Sequence, residues 1–320
     1  MHYDVFNGDA DGIIALLQLR FAEPKESTVI TGVKRDIKLL KRVDIDTAKS
    51  VTALDISMEK NQPELEALLA NNVSVFYCDH HRSGDIPQSD NLDALINLDA
   101  EVCTSLLINE RLGGQYAKWA VAAAFGDNLF TSAEKLAQEI GLPESETEFL
   151  KELGTLINYN GYGATLSDLH IEPKALYQKL TAYVDPLSLL DDEHSPYHTL
   201  KKGYELDRSQ VLSTVPSHSD AQCKVFEFPC EAWARRISGV FGNELANQSP
   251  ELAHAVLTLN ANHQDYTVSV RAPLNNRVGA DDICSSFPTG GGRKAAAGIN
   301  ALTLDDKQKF IDTLSAYYIK

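Results

Sequence analysis

A chain of 320 residues is long enough for two ordinary domains and too long for one simple core. Hydrophobic residues make up 43% and charged residues 23%, a globular composition that excludes a disordered chain. The net charge of −16 argues against a protein that holds long nucleic acids, because such proteins carry a basic surface for the phosphates. We therefore expect a short anionic ligand, whose charge bound divalent cations would offset.

No apolar run is long enough to span a membrane, and the N-terminal residues show no secretory signal. These features predict a cytoplasmic protein without a membrane partner. The five cysteines, at positions 78, 103, 223, 230 and 284, form no CxxC pair. We expect reduced structural thiols rather than a zinc site.

The first half of the chain alternates short apolar runs with amphipathic stretches. The predicted strands are residues 3–6, 28–33, 51–54, 73–78 and 95–98. The predicted helices are residues 12–21, 35–41, 63–71 and 104–112, followed by a mostly helical segment over 116–159. This alternation predicts an α/β domain, residues 1–190, with a doubly wound parallel sheet of five strands.

The second half of the chain changes character at about residue 191. Residues 191–220 are polar and broken, which indicates a connector with one helix. Beyond it, residues 221–320 predict a smaller α/β domain with a mixed sheet. Its predicted elements are strands 224–228, 255–260 and 266–272, a helix 232–247, a glycine-rich loop 290–292 and a final helix from residue 305.

Aspartates follow the ends of the predicted strands, where an open parallel sheet binds its ligands. Strand 3–6 runs into Asn-Gly-Asp-Ala-Asp-Gly at positions 7–12, and strand 51–54 ends at Asp55. Strand 73–78 runs into Asp-His-His-Arg at positions 79–82, and Asp127 follows a helix. Divalent cations prefer carboxylate oxygens, and Mn²⁺ also accepts imidazole nitrogen. The pattern predicts a pair of cations that activates water and stabilises phosphoryl oxygens.

Each of these segments has a simpler interpretation when taken alone. Residues 7–12 match the opening of a calcium-binding loop, but a strand precedes them and Gln18 stands where such a loop needs Glu. A turn with Asp11 as the N-cap of the next helix stays open. A single Asp at a strand or helix end is often a plain loop residue. The pair His80-His81 is more specific, because adjacent histidines behind an apolar strand have little packing rationale.

Taken in order, these segments resemble the DHH phosphoesterase superfamily. That group includes RecJ-type exonucleases, nanoRNases, cyclic-dinucleotide phosphodiesterases and family II inorganic pyrophosphatases. Residues 79–82 look like its signature, residues 7–12 like its first motif, Asp55 like its second and residues 126–127 like its fourth. Residues 268–271 and 290–298 look like the DHH-associated C-terminal domain, so the similarity spans nearly the whole chain.

The resemblance implies two divalent metal ions, with Mn²⁺ as the expected ion and Mg²⁺ or Co²⁺ as alternatives. The implied ligands are Asn7, Asp9, Asp11, Asp55, His80 and Asp127. Asp9 would hold the first cation and Asp11 the second, and Asp55 would bridge both. His80 and Asp127 would complete the second site.

The resemblance also implies catalytic and substrate-binding residues. The implied catalytic group is Asp79, His81 and Arg82, with His81 facing the substrate phosphate. The implied substrate-binding group is Arg271, Gly290, Gly291, Gly292, Arg293 and Lys294. Glycines let backbone amides approach a phosphate and arginine offers a fork of donors, although a flexible connector is the plain alternative for the glycine run.

Two residues depart from the family pattern. Asn7 stands where the first motif often has His or Asp, so the first cation would be weakly held or bound through the amide oxygen. Arg293 stands where the C-terminal loop usually has His, and its guanidinium would bind phosphate or a guanine edge.

The length and domain content are most similar to the nanoRNase branch, which acts on short RNAs. We therefore expect short linear oligoribonucleotides as substrates, above all the dinucleotides pGpG or pApA, with Arg293 favouring pGpG. A nucleoside 3′,5′-bisphosphate (pAp) phosphatase, a family II pyrophosphatase and a non-catalytic nucleotide sensor are the alternatives. The resemblance leaves a homodimer open.

Overall fold

The computed structural model describes residues 1–319, and its packing divides the chain into two units. The first unit is Met1–Gly203 and the second begins at Tyr204. The boundary falls inside helix α8, Pro196–Val211. The two units are described separately below.

The first unit is built on five parallel strands. These are β1 His2–Phe6, β2 Thr28–Ile30, β3 Ser50–Leu54, β4 Ser74–Asp79 and β5 Leu92–Ile96. They pair in parallel in the order β2-β1-β3-β4-β5, which confirms the predicted sheet. Its helices before α8 are α1 Ala10–Ala22, α2 Gln62–Ala70, α3 Thr104–Arg111, α4 Ala117–Gly126, α5 Phe130–Glu139, α6 Glu144–Asn160 and α7 Pro173–Leu180.

Helices cover both faces of this sheet, because successive side chains of a strand point to opposite sides. Tyr3 and Val5 of β1 are buried in one cluster with Leu65 of α2. Asp4 of the same strand points to the other face, where it meets Arg20 of α1. The sheet is therefore wound on both sides, as predicted.

The contact between Asp4 and Arg20 is a buried ion pair. Arg20 Nε donates to Asp4 Oδ2 at 3.0 Å, and the His2 ring lies 3.0 Å from Asp4 Oδ1. Burial alone would raise the pKa of Asp4, but hydrogen bonds from His2 and Arg20 lower the pKa to about 2. The pair therefore holds a charged carboxylate inside the unit.

We expect Arg20→Met to destabilise the first unit by about 3–5 kcal/mol at neutral pH, because it strands a buried carboxylate. The Asp4 pKa is about 2 in the folded unit. The unfolded value is about 3.9, so the stabilisation is present above about pH 4 and is lost as the pH falls towards the folded pKa. Urea unfolding at neutral pH and at about pH 3 measures the difference, which should shrink in acid. An equal loss at both pH values would contradict this role.

The second unit carries a mixed sheet of six strands. These are β6 His218–Ser219, β7 Cys223–Phe228, β8 Ala253–Leu259, β9 Asp265–Arg271, β10 Gly290–Gly292 and β11 Ala296–Thr303. Their order is β10-β11-β9-β8-β7-β6, with β7 and β8 parallel and the other neighbours antiparallel, which confirms the predicted mixed sheet. The helices after α8 are α9 Ala232–Gln248, α10 Ala280–Ser285 and α11 Lys307–Tyr317.

Several predicted elements are wrong in detail. Residues 35–41 do not form a helix, and a short 3₁₀ turn, Leu40–Arg42, is found there instead. The Asn61 side chain explains this, because it donates to the Ile37 carbonyl and accepts from the Leu40 amide, so the backbone groups are satisfied without a helix. β2 ends at residue 30 instead of 33, and β5 begins at residue 92 instead of 95. The glycine run is strand β10 instead of a loop, and β11 was not predicted.

Two further features bear on the sequence expectations. Within residues 1–319, no helix has the length and apolar content needed to cross a membrane. The five cysteines are free thiols, as expected.

Candidate metal centre

Acidic side chains from separate elements meet at the C-terminal edge of the first sheet. β1 leads into Asp9 and Asp11 at the start of α1, β3 ends next to Asp55, and β4 ends at Asp79. These three strands are neighbours in the sheet. Asp127 joins the group as the C-cap of α4. All five carboxylates are buried to nine-tenths or more, which is costly for like charges without a cation.

His80 faces three of these carboxylates. Its Nε2 lies 3.4 Å from Asp55 Oδ1, 3.7 Å from Asp11 Oδ2 and 3.8 Å from Asp127 Oδ2. Its Nδ1 lies 2.8 Å from the Val102 carbonyl oxygen, which only accepts, so Nδ1 donates and Nε2 is the ring atom that faces the carboxylates. Imidazole nitrogen and carboxylate oxygen are both ligands of divalent cations. A metal-binding histidine usually donates its other ring N–H to a fixed acceptor, as His80 does to the Val102 carbonyl.

Asp55 is the most strongly perturbed carboxyl group of the cluster. Burial, together with the negative charges of Asp9 and Asp11, raises the pKa of Asp55 well above its usual value. Its backbone has a φ of 56°, a left-handed conformation that Asp and Asn tolerate better than other residues with side chains. A cation beside Asp55 would remove the electrostatic cost.

Asp11 is held in place by the first turn of α3. Its Oδ1 accepts from the Ser105 amide at 2.6 Å, and its Oδ2 accepts from the Thr104 amide at 2.8 Å. Cys103, the N-cap residue of α3, makes no side-chain capping bond, so Asp11 supplies the cap from another element. Each carboxylate oxygen keeps a lone pair for a cation.

Asp9, and not Asp11, is the N-cap of α1, which begins at Ala10. Asp9 Oδ1 accepts from the Gly12 amide at 3.1 Å. Asp9 Oδ2 forms an ion pair with Lys34, a residue that the sequence analysis did not include in the site. Burial works to raise the pKa of Asp9, but the Lys34 ammonium holds it below its usual value.

Lys34 is surrounded by groups that bind an ammonium. Besides Asp9, its Nζ donates to Asn158 Oδ1 at 2.9 Å and lies 5.3 Å from the centre of the Tyr162 ring. Burial disfavours the charged form, but the charges of Asp9, Tyr162 and Asp127 raise the pKa of Lys34 above its usual value. Lys34 follows the end of β2, at the same sheet edge as the aspartates, and that position was the signal available in the sequence.

Asn7 lies within the same group. Its Nδ2 donates to the Lys34 carbonyl oxygen at 3.1 Å. Its Oδ1 is buried and has no hydrogen-bond partner in residues 1–319. The turn after Asn7 requires glycine at position 12, since a Cβ on Gly12 would lie 2.3 Å from the Asn7 carbonyl oxygen. The amide oxygen of Asn7 is therefore available as a neutral ligand.

His81 lies beside this cluster and is oriented by Asp79. Its Nδ1 lies 2.7 Å from Asp79 Oδ1, and the His81 ring centre is 4.4 Å from that of His80. Burial works to raise the pKa of Asp79, but the neighbouring His81 holds it below its usual value. With Nδ1–H donated to Asp79, His81 Nε2 is the atom left to act on a substrate. Arg82 is an exposed residue whose carbonyl accepts from Ser57 Oγ at 2.9 Å.

In the second unit, Arg271 is bound to helix α9. Its Nε donates to Asn243 Oδ1 at 2.5 Å, and one terminal nitrogen donates to the Gly239 carbonyl at 3.1 Å. Arg293 and Lys294 lie in the turn between β10 and β11, where Lys294 is exposed. The guanidinium of Arg271 therefore has structural partners, and the substrate role that the resemblance implies for it stays a prediction.

The three glycines of β10 differ in their surroundings. A Cβ on Gly290 would lie 1.8 Å from the Cys284 carbonyl oxygen of α10. Gly292 has a φ of 147°, and a Cβ there would lie 2.5 Å from Ala297 Cα. Gly291 has no described atom within 4 Å of an added Cβ. Close packing explains why positions 290 and 292 are glycine, whereas a side chain at position 291 would meet open space.

Comparison with known proteins gives a match in structure only. No protein-family model and no curated protein matches the sequence. The exonuclease RecJ bound to manganese superposes with a TM-score of 0.61 at 16% identity, covering 99% of this chain and 89% of that chain. RecJ from Thermus thermophilus with Mn²⁺ gives 0.66 at 18% identity, covering 99% and 52%. The pGpG-specific phosphodiesterase PggH from Vibrio cholerae gives 0.58 at 13% identity, covering 99% of both chains. The chain has the fold of these proteins.

Proposed function

We infer that this chain belongs to the DHH phosphoesterase superfamily, and we propose that it is a metal-dependent phosphodiesterase of short linear oligoribonucleotides. The observation that carries this proposal is the position of His80, whose Nε2 faces the carboxylates of Asp11, Asp55 and Asp127 within 3.8 Å. The shared fold of RecJ and PggH supports it, because the first is described as an exonuclease and the second as a phosphodiesterase.

The chemistry divides between a cation and the chain's own residues. When bound, a divalent cation, which we propose is Mn²⁺, would supply an activated water and offset the charge on the phosphoryl oxygens. The residues His80, Asp11, Asp55 and Asp127 would hold it. His81, backed by Asp79, would donate a hydrogen bond from Nε2 to the phosphate or a proton from Nε2 to the leaving oxygen. The exposed Arg82 would bind the substrate phosphate.

Three features support a dinucleotide as the substrate. The net charge of −16 disfavours long nucleic acids. PggH, which aligns over 99% of its length, is described as pGpG-specific. The guanidinium of Arg293 would recognise a guanine edge. We therefore propose pGpG first and pApA second.

Gly291→Ala tests whether β10 meets the substrate. The space around Gly291 admits a methyl group, so the variant should fold with an unchanged melting temperature. A substrate phosphate that approaches the Gly291 backbone would be pushed away, which raises KM several-fold with kcat preserved. Steady-state kinetics with pGpG and thermal melting measure both quantities. An unchanged KM would remove β10 from the substrate site.

A substrate panel tests the proposed function directly. Purified protein with Mn²⁺ is incubated with pGpG, pApA, longer oligoribonucleotides, pAp and pyrophosphate, and products are separated by chromatography. The dinucleotides should be hydrolysed fastest, and EDTA should stop the reaction. Preferential release of phosphate from pAp would establish the bisphosphate phosphatase instead. Binding of dinucleotides without turnover of any substrate would indicate a sensor.

A further inference from the structure

Lys34 is ion-paired with Asp9, the residue that the sequence analysis expects to hold the first of two cations. We propose that the Lys34 ammonium replaces that cation, so that the centre binds a single divalent ion. The ligands of that ion are Asp11, Asp55, His80 and Asp127. This inference rests on the proposed function only in taking these residues as the metal site.

The first argument is that both oxygens of Asp9 already have a partner, and that the partner of Oδ2 carries a positive charge. Its Oδ1 caps α1 by accepting from the Gly12 amide at 3.1 Å, and its Oδ2 is ion-paired with Lys34. A divalent ion on Oδ2 would have to displace the ammonium or lie beside it, and the two positive charges would repel each other.

The second argument is that the position is built for an ammonium. Lys34 Nζ donates to the carboxylate of Asp9 and to the amide oxygen of Asn158, which is 2% exposed. The face of the Tyr162 ring covers the same ammonium at 5.3 Å. An aromatic face stabilises an organic cation but supplies no oxygen ligand to a hard divalent ion. The two oxygen acceptors and the Tyr162 ring therefore favour the lysine ammonium over a divalent ion at this position.

The third argument is that two carboxylates facing His80 have no such positively charged partner. In residues 1–319, Asp11 and Asp55 form no ion pair with a lysine or arginine, although both are 1% exposed. Four carboxylates, those of Asp9, Asp11, Asp55 and Asp127, carry four negative charges. Lys34 offsets the charge of Asp9 and a single divalent ion offsets two of the other three, so only one negative charge of these four residues stays uncompensated.

Metal stoichiometry tests the proposal without reference to hydrolysis. Full-length wild type, Lys34→Met, Lys34→Arg and Lys38→Met are titrated with Mn²⁺ by calorimetry, and bound Mn²⁺ is examined by electron paramagnetic resonance. Lys38 is a residue of the same segment that lies outside the centre, so Lys38→Met removes the same charge elsewhere. Lys34→Arg keeps the positive charge beside Asp9.

We expect one Mn²⁺ per chain, with the spectrum of an isolated ion, in wild type, Lys34→Arg and Lys38→Met. Lys34→Met should bind a second Mn²⁺ at least about tenfold more tightly than wild type does, and should give a spin-coupled spectrum. A melting temperature in EDTA and in Mn²⁺ shows whether Lys34→Met is folded, and Mn²⁺ should raise it more in this variant than in wild type.

Wild type with two tightly bound, spin-coupled Mn²⁺ ions would overturn the proposal, and so would a folded Lys34→Met that still binds one. Failure of the proposed function gives a different result, because wild type would then bind one Mn²⁺ and hydrolyse no member of the substrate panel. Hydrolysis by a protein that binds two ions would leave the proposed function intact and remove only the inference about Lys34.

Discussion

Asp55→Asn is expected to abolish hydrolysis and, at the same time, to make the metal-free protein more stable. The loss of activity should reach about 10³-fold or more, since several kcal/mol of transition-state stabilisation by the cation corresponds to that factor. Asn has the shape of Asp and tolerates the left-handed backbone found here, where φ is 56°. The fold should therefore be preserved.

The gain in stability follows from the raised pKa of Asp55. Burial and the neighbouring carboxylates raise that pKa above the value of an unfolded chain. The protonated group is thus favoured by folding, and its contribution is present below about pH 4 and lost as the pH rises through the folded pKa. The advantage of Asp55→Asn over wild type in EDTA should widen with rising pH. Added Mn²⁺ should reverse the order, because wild type gains binding energy that the variant lacks.

Melting curves in EDTA and in Mn²⁺ across a pH series test this expectation, together with rates on pGpG. Asp46→Asn is the matched control, since Asp46 is exposed and the substitution removes the same charge. It should leave the rate, the Mn²⁺ response and the pH response unchanged. Full activity of Asp55→Asn would refute a metal role for this residue.

His81→Ala is expected to lower kcat by about 10²–10⁴-fold while leaving Mn²⁺ binding intact, because the imidazole transfers a proton and does not hold the ion. Asp55, His80 and His81 place ligand atoms within 4.8 Å of one another, so a ligand role for His81 is the competing interpretation. The His81 atom near Asp55 is Nδ1, which lies 3.7 Å from Asp55 Oδ1, and Asp79 Oδ1 engages that atom at 2.7 Å, which argues against a ligand role. Calorimetric titration with Mn²⁺ and single-turnover kinetics separate the two.

Two further variants distinguish a catalytic role of His81 from a role as a metal ligand. His80→Ala should lose Mn²⁺ affinity and activity together, since Nε2 of His80 faces the carboxylates. Asp79→Asn keeps an acceptor for His81 Nδ1–H and should therefore lose less activity than His81→Ala. If His81→Ala loses Mn²⁺ as His80→Ala does, His81 is a ligand and the catalytic role is wrong.

The sheet edge could be predicted from the sequence because the relevant strands are short, apolar and interrupted by polar residues. β1, β3 and β4 begin and end within one residue of the predicted positions. Parallel strands bring their carboxyl ends to one edge, so their convergence followed from the fold class alone. The metal and catalytic roles of the residues at that edge stay predictions.

Lys34 was missed although it directly follows the predicted strand 28–33, because the residues after it were interpreted as a helix. Ile37, Leu39 and Leu40 have helical spacing, yet Asn61 satisfies the backbone from another element. The glycine strand was missed for a related reason. Gly has low strand propensity, and only the close approach of α10 to Gly290 explains its presence in β10. Both depend on long-range contacts that no local pattern encodes.

Asp9 caps the N-terminus of α1, its own helix, and Asp11 caps the N-terminus of α3. These carboxylates are therefore oriented by folding itself, before any ion arrives. Because these side chains are already ordered, binding of an ion costs little further side-chain entropy, which favours tight and rapid binding. Both aspartates are therefore poor sites for substitution, since losing either one removes a helix cap worth about 0.5–2 kcal/mol, and losing Asp11 also removes a proposed ligand.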